Sequence, residues 1–173
     1  TFRTNVLGTV SLLSALRNYN ERLSVVCITS DKCYENKEWP WPYRESDLLG
    51  GKDNYSASKA CAELAVRSMV QTYSVFGSNI KIGTARAGNV IGGGDFSANR
   101  LIPDFIRHLK SGESLIIRRP NATRPWQHVL DPINGYVRFA EALYFDEMAT
   151  GERLNFGPSS SSKCYAVKDI LNL

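Results

Sequence analysis

The sequence predicts an α/β fold built on a parallel sheet. Short β-branched apolar runs alternate with longer stretches whose apolar residues recur every three or four positions. The first of the strand-like runs also ends in a turn rich in hydroxyl and charge, Thr29-Ser30-Asp31-Lys32. Open parallel sheets bind ligands outside the carboxyl ends of their strands.

The elements follow in chain order. Phe2, Val6, Leu7, Val10, Leu13 and Leu16 have helical spacing and predict a buried helix. Leu23 to Thr29 is apolar and β-branched, as in a buried parallel strand. Residues 31–54 hold aromatics, proline, glycine and charge and predict a long loop, a kind of segment that is usually functional. Tyr55 to Phe76 predicts a helix with Cys61, Leu64, Ala65, Met69 and Tyr73 on its apolar face. Asn79 to Ala85 reads as a strand, Gly88 to Asn99 as a loop, Ile102 to Leu109 as a helix and Ser114 to Arg118 as a strand. Asp131 to Tyr144 predicts a helix with Asp131 as N-cap and Pro132 in the first turn. Leu154 to Phe156 is a short strand, followed by a turn at Ser159–Ser162 and a last helix. There is no internal repeat. The chain opens inside one helical pattern and stops inside another, as expected of a piece of a longer protein.

Composition narrows the function classes. In 173 residues, 43% hydrophobic and 22% charged, there is enough apolar surface for a real core. The net charge of +4 favours anionic partners, but the charges alternate in sign and form no basic run. Nucleic-acid binding is therefore not indicated. The cysteines Cys27, Cys33, Cys61 and Cys164 form no Cys-x-x-Cys pair, and the only histidines are His108 and His128. That argues against zinc and for reduced thiols in a cytoplasmic protein, with Cys27 and Cys61 as core filling. No apolar run is long enough to span a membrane, and no signal peptide is present.

Two segments carry chemistry. Tyr55 and Lys59 lie four apart on the predicted helix, hence on one face. An ammonium beside a phenol stabilises the phenolate, which suits the phenol to general acid–base work. An ordinary exposed helix pair shows the same spacing. In the turn after the first strand, a hydroxyl can bond a sugar hydroxyl and Asp31 can donate or accept a proton. Lys32 is either an enolate-stabilising cation or, when neutral, a base. The same residues can also form a solvated turn, but a structural role has no need of both segments together.

At this point the chain resembles the extended short-chain dehydrogenase/reductase family, and within it the CDP-glucose 4,6-dehydratases. The matching stretches begin with Asn5-Val6-Leu7-Gly8-Thr9, Ser30 to Asn36 and Tyr43 to Lys59. They continue with Ala85 to Asp95, Arg100 to Asp104 and Ala122 to Val129. Together they cover nearly the whole chain, in order.

The resemblance implies a Rossmann-like parallel sheet without its N-terminal glycine-rich half, plus part of a small C-terminal substrate domain. Residues 1–88 would belong to the NAD-binding domain and carry catalysis. Residues 89–173 would mix substrate loops with further Rossmann elements. The implied reaction is NAD-dependent dehydration of CDP-glucose to a 4-keto-6-deoxy sugar. Tyr55 would take the proton of the carbon 4 hydroxyl, and Ser30 would hold that oxygen. Asp31 would protonate the leaving hydroxyl. Lys32 stands where the dTDP-glucose enzymes carry the glutamate base for carbon 5. A second cation and burial both favour a neutral amine; base and enolate stabiliser both stay open.

Lys59, supported by Asn5, would reach the cofactor ribose, and Ala87 and Gly88 would border the nicotinamide. Asn89, Arg100, Leu101, Arg118 and Arg124 would bind the substrate, with Arg119 near the same nucleotide anchor. The run Gly92-Gly93-Gly94 lacks the G-x-G-x-x-G spacing and reads as a substrate loop, not a phosphate loop. Trp39, Trp41, Tyr34 and Tyr43 wall the sugar pocket or pack the loop. The helices at 1–20 and 55–76 would pair with a second copy in a homodimer, and the implied product feeds bacterial surface deoxysugars. The competing readings are an epimerase or reductase of the same family and a non-catalytic nucleotide-sugar binder. Adjacent Asp31-Lys32 argues against the first, and the intact set Ser30, Asp31, Lys32, Tyr55 and Lys59 against the second.

Overall fold

A computed structural model describes residues 1–75, 79–159 and 165–172. Phe76, most of the Ser159–Ser162 run and Cys164 lie outside the described residues, apart from Ser159 itself. The described chain forms two compact units.

The first unit comprises residues 1–87 and 133–156. A π-helical turn, Arg3–Leu7, leads into helix α1, Gly8–Leu16. Strand β1, Leu23–Ile28, follows, and a single 3-10 turn spans Asp31–Cys33. Helix α2 is Asn54–Val75 and strand β2 is Ile80–Ala87. Most of the long helix α4, Leu130–Tyr144, and all of strand β6, Arg153–Phe156, return to this unit. The expected parallel sheet is present, in the order β1-β2-β6 with every pairing parallel.

Its core is small and specific. Leu13 from α1, Val66, Val70 and Tyr73 from α2, and Ile80 and Ile82 from β2 close on one another. The Tyr73 hydroxyl donates to the Leu13 carbonyl, so α1 and α2 are joined by a bond as well as by burial. On α4, Phe139 and Leu143 are buried, and Gly83 leaves room for the first of them. A Cβ at Gly83 would lie 2.4 Å from the Phe139 ring.

Three expectations change here. The buried face of α2 is Ala62, Val66, Val70 and Tyr73, while Cys61 and Leu64 are exposed. Helical spacing identifies an apolar stripe but not its centre when small residues share it. The N-terminal helix buries Leu13 but leaves Phe2, Leu7 and Leu12 exposed. Finally, α4 starts at Leu130, so Asp131 sits inside its first turn and is not the N-cap. An acidic side chain is favoured at either place by the helix dipole.

The second unit comprises residues 88–132 and 157–173. It holds β3, Val90–Ile91, in a parallel pair with β5, Gln127–His128, where a plain loop is expected from the sequence. It also holds helix α3, Leu101–Ser111. Strand β4, Thr123–Arg124, pairs antiparallel with β7, Tyr165–Ala166, and the short helix α5 is Val167–Leu171. Ser114 to Arg118 forms no strand: Ile116 is 88% exposed and the segment pairs with no ladder among the described residues. β-branched composition suits a strand only where another strand offers its backbone.

One polar network ties the first unit together. Glu63 of α2 and Arg86 of β2 are both buried. Arg86 forks onto Glu63, Nε to Oε1 at 2.9 Å and Nη2 to Oε2 at 2.8 Å. The hydroxyls of Thr29 and Thr84 donate to the same carboxylate. Arg86 Nη1 donates to the Tyr34 hydroxyl at 2.7 Å, which donates to Asn155 Oδ1 of β6 at 2.7 Å. The Asn155 N–H in turn donates to Glu45 Oε1, and its side-chain amide donates to the Tyr43 carbonyl. Burial pushes the Glu63 carboxyl up, but the hydrogen bonds from Arg86 and Thr29 outweigh it and hold the group below its ordinary value. Burial likewise disfavours the Arg86 charge, and the bonds to Glu63 reverse that.

Two outcomes follow from this packing. Arg86→Met should destabilise the full-length protein by about 3–5 kcal/mol in urea unfolding, because it leaves Glu63 buried without its partner. Cys61 should react with a thiol reagent well before Cys27 or Cys33, as read by peptide mapping. Burial raises those two thiols to about 11 and about 12, so thiolate is scarce near neutral pH.

Candidate active site

The end of β1 and the start of α2 build the site. Thr29 leaves the strand with its N–H donating to Ala85 of β2 at 2.8 Å. Ser30 is extended, and its Oγ accepts from the Lys32 N–H, which starts the 3-10 turn. The Ser30 hydroxyl donates to the Asp31 carboxylate at 3.1 Å. Ser30 is buried, Asp31 partly so, and Lys32 is exposed.

Asp53 caps α2, accepting from the N–H groups of Tyr55 and Ser56 and from the Ser56 hydroxyl. Hydrogen bonds from Ser56 hold its carboxyl below the ordinary value, with the Lys32 charge adding to the effect. A Cβ at Gly51 would lie 2.3 Å from the Ala57 nitrogen, so only glycine lets the loop pass this turn. The first turn of α2 is therefore rigidly placed, and with it Tyr55.

Tyr55 is 44% exposed and stands between two cations. The ammonium groups of Lys32 and Lys59 each lie 5.9 Å from its ring centre. Lys59 Nζ donates to the Ile28 carbonyl at 3.1 Å. Burial pushes its ammonium below the ordinary value, opposed by the Glu63 carboxylate one turn further along α2. The structure thus brings Ser30, Asp31, Lys32, Tyr55 and Lys59 together. A half-exposed phenol beside two cations can exchange a proton with a bound hydroxyl, and the adjacent carboxylic group can serve a second transfer.

The other expectations fall as follows. Asn5 binds Ser58 Oγ at 2.9 Å, and Ser58 binds the Tyr55 carbonyl. The Asn5 amide thus reaches Ser58, the residue before Lys59, while Lys59 itself bonds the Ile28 carbonyl. The Thr29 hydroxyl points inward to Glu63, which leaves Ser30 as the hydroxyl on the turn. Ala87 ends β2, opposite Phe156. The aromatic loop is packed: Tyr34 stacks on Tyr43 at 5.1 Å, and Trp39 lies 5.2 Å from Tyr43. Trp41 is 61% exposed.

Gly88, Asn89, Arg100, Leu101, Arg118, Arg119 and Arg124 belong to the second unit. The Asn89 carbonyl accepts from Gln127 at the start of β5. Arg100 is the N-cap residue of α3, 3.8 Å from Asp95, and Leu101 opens that helix. Arg124 lies on β4, with Nη1 on the Thr123 carbonyl. Arg118 and Arg119 are exposed in the coil between α3 and β4.

Sequence reasoning misses Glu63, Thr29 as an inward group, Asp53 and Arg107. Asp53 two residues before Tyr55 is an N-cap signal that was available. Arg107 fastens the carbonyls of Phe96 and Ser97 to α3, and nothing local marks it. Among the described residues no group of His, Cys, Asp and Glu could hold a metal ion, and no helix is long and apolar enough to cross a membrane.

The chain is 46% identical over 162 residues to a CDP-glucose 4,6-dehydratase of Salmonella typhimurium, covering 91% of this chain and 45% of that protein. It is 38% identical over 74 residues to a dTDP-glucose 4,6-dehydratase of Mycolicibacterium smegmatis, 42% of this chain and 22% of that one. The fold is similar to a dTDP-glucose 4,6-dehydratase of Streptomyces venezuelae with NAD and TYD bound. That match has a TM-score of 0.80 at 24% identity, covering 99% of this chain and 48% of the other. The chain thus spans less than half the length of the curated relatives it matches. Residues 1–157 match the NAD dependent epimerase/dehydratase family, and the chain belongs to that family.

Proposed function

We propose that this chain carries the acid–base half of a nucleotide-sugar 4,6-dehydratase that acts on CDP-glucose. The observation that carries the proposal is the Ser30-Asp31-Lys32 turn presented beside Tyr55, with both ammonium groups 5.9 Å from its ring. The 46% identity to a CDP-glucose 4,6-dehydratase supports the choice of substrate.

The donor set fits a nicotinamide cofactor. The half-buried Lys59 ammonium and the exposed Tyr55 phenol offer hydrogen-bond donors to a ribose diol at the carboxyl end of parallel strands. Tyr55, Lys59, Ala87 and Gly88 would hold NAD. When bound, NAD⁺ supplies the hydride acceptor for carbon 4 and the hydride returned to carbon 6.

The chain's own residues move the protons. Tyr55 accepts the proton of the carbon 4 hydroxyl, and the Lys59 and Lys32 charges stabilise the phenolate. Ser30 donates to the same oxygen and orients it. Once carbon 4 is a ketone, the carbon 5 proton is acidic. Lys32 either removes it as a neutral amine or stabilises the enolate as a cation. Asp31 protonates the hydroxyl leaving carbon 6, so that water departs. With a proton returned to carbon 5, the sum is loss of one water and a 4-keto-6-deoxy sugar. In the second unit the guanidinium groups of Arg100, Arg118 and Arg124 suit a diphosphate, with Asn89 and Leu101 completing the substrate set.

The assembly is a homodimer in the cytoplasm, joined through the helices at 1–20 and 55–76. Support comes from Phe2, Leu7, Leu12 and Leu64, which are 44–59% exposed on those helices. Such a set of exposed apolar side chains favours a partner.

The full-length protein should convert CDP-glucose, and not dTDP-glucose, to the 4-keto-6-deoxy product without added reductant. Tyr55→Phe should lower kcat by about 10²–10⁴-fold, the range for a lost general acid–base group. Binding of CDP-glucose without product, across both nucleotide sugars, would sink the dehydratase reading in favour of an epimerase or a silent binder. For the dimer, Leu12→Lys with Leu64→Lys should shift the protein to monomer in sedimentation velocity, while wild type sediments as a dimer.

A further inference from the structure

The carboxyl end of β1 is gripped by two successive turns of α2. Lys59 Nζ holds the Ile28 carbonyl at 3.1 Å. One turn later Glu63 Oε1 accepts from the Thr29 hydroxyl. From the other side, β2 holds the Thr29 N–H through the Ala85 carbonyl. The next residue is Ser30, where the turn bearing Asp31 and Lys32 begins.

Glu63 cannot swing. Its Oε1 accepts from Thr29 and from Arg86 Nε, and its Oε2 from Thr84 and Arg86 Nη2. That fills the acceptor capacity of the carboxylate with donors from two separate segments, the end of β1 and strand β2. The side chains of Glu63 and Arg86 are 1% and 0% exposed, so water does not replace any of these bonds.

The ion pair does not need Thr29. Arg86 already forks onto both oxygens, and Thr84 adds a further donor. Without its hydroxyl bond, however, Thr29 loses the side-chain bond that ties it to α2. We infer that Glu63 and Thr29 are positioning residues, and that the buried carboxylate sets through the Thr29 hydroxyl where Ser30, Asp31 and Lys32 stand relative to Tyr55. The inference rests on the catalytic roles proposed above for that turn. Neither residue touches the reacting atoms.

The test uses the full-length protein with Thr29→Val, which removes the hydroxyl and keeps the shape, and Thr29→Ser, which restores it. Glu63 keeps Arg86 and Thr84 in both variants, so both should fold. Thr29→Val should lower kcat on CDP-glucose by about tenfold or more with KM nearly unchanged, since misplacement of the order of 1 Å costs up to about 10²-fold. Thr29→Ser should recover most of that loss. Backbone amide exchange over residues 31–34 should accelerate in Thr29→Val and return in Thr29→Ser. A kcat for Thr29→Val close to wild type, with only the melting temperature lowered, would overturn the inference. So would unchanged exchange over residues 31–34. If Tyr55→Phe proves fully active, the catalytic reading fails on its own, and the exchange measurement still decides whether the clamp exists.

Discussion

The buried pair of Glu63 and Arg86 is the constraint on which the rest of the first unit depends. Two opposite charges inside a protein are tolerated only when each polar atom finds a partner in good geometry. Here that demand recruits α2, the end of β1, the central strand β2, the loop after β1 and the last strand of the sheet. A hydrophobic contact would accept a sliding helix. A forked guanidinium does not, because its two bonds fix direction as well as distance. The register of α2 along the sheet is therefore set by a polar bond, while Val66, Val70 and Tyr73 supply the burial that holds it there.

That register determines the chemistry at the surface. Tyr55, Lys59 and Glu63 occupy successive turns of one helix. Because Glu63 is locked inside, Lys59 stands at the strand end and Tyr55 emerges into solvent beside it. The same carboxylate opposes the effect of burial on the Lys59 charge. The turn after β1 brings Lys32 to the same phenol. The long loop after it is not slack. Arg86 holds Tyr34, Tyr34 stacks on Tyr43, and Asn155 binds the Tyr43 carbonyl.

The exposed apolar residues of α1 and α2 carry a separate lesson. Phe2, Leu7, Leu12 and Leu64 are apolar yet meet solvent in the isolated chain. Periodicity reports that a face avoids water, and a face can do so against another chain as well as against its own sheet. Exposed apolar side chains of this kind suit contact with a partner.

The sequence by itself determined the class of fold, the order of its main elements and the residues of the candidate site. Those features are local. A β-branched run, a 3.6-residue period, a Tyr-x-x-x-Lys on one helix and a charged turn after a strand are written within a few residues of one another. Only the tertiary structure decided which face of α2 turns inward, that Ser114 to Arg118 forms no strand, and that Thr29 turns away from the turn it precedes. It also decided that Glu63 and Arg86, which no local pattern singles out, lie at the centre. The physical reason is that burial of a charge depends on donors that arrive from distant segments. Thr29, Thr84 and Arg86 meet Glu63 across separations of 34, 21 and 23 residues. No local pattern records such a meeting, and a strand likewise exists only where another strand completes its ladder.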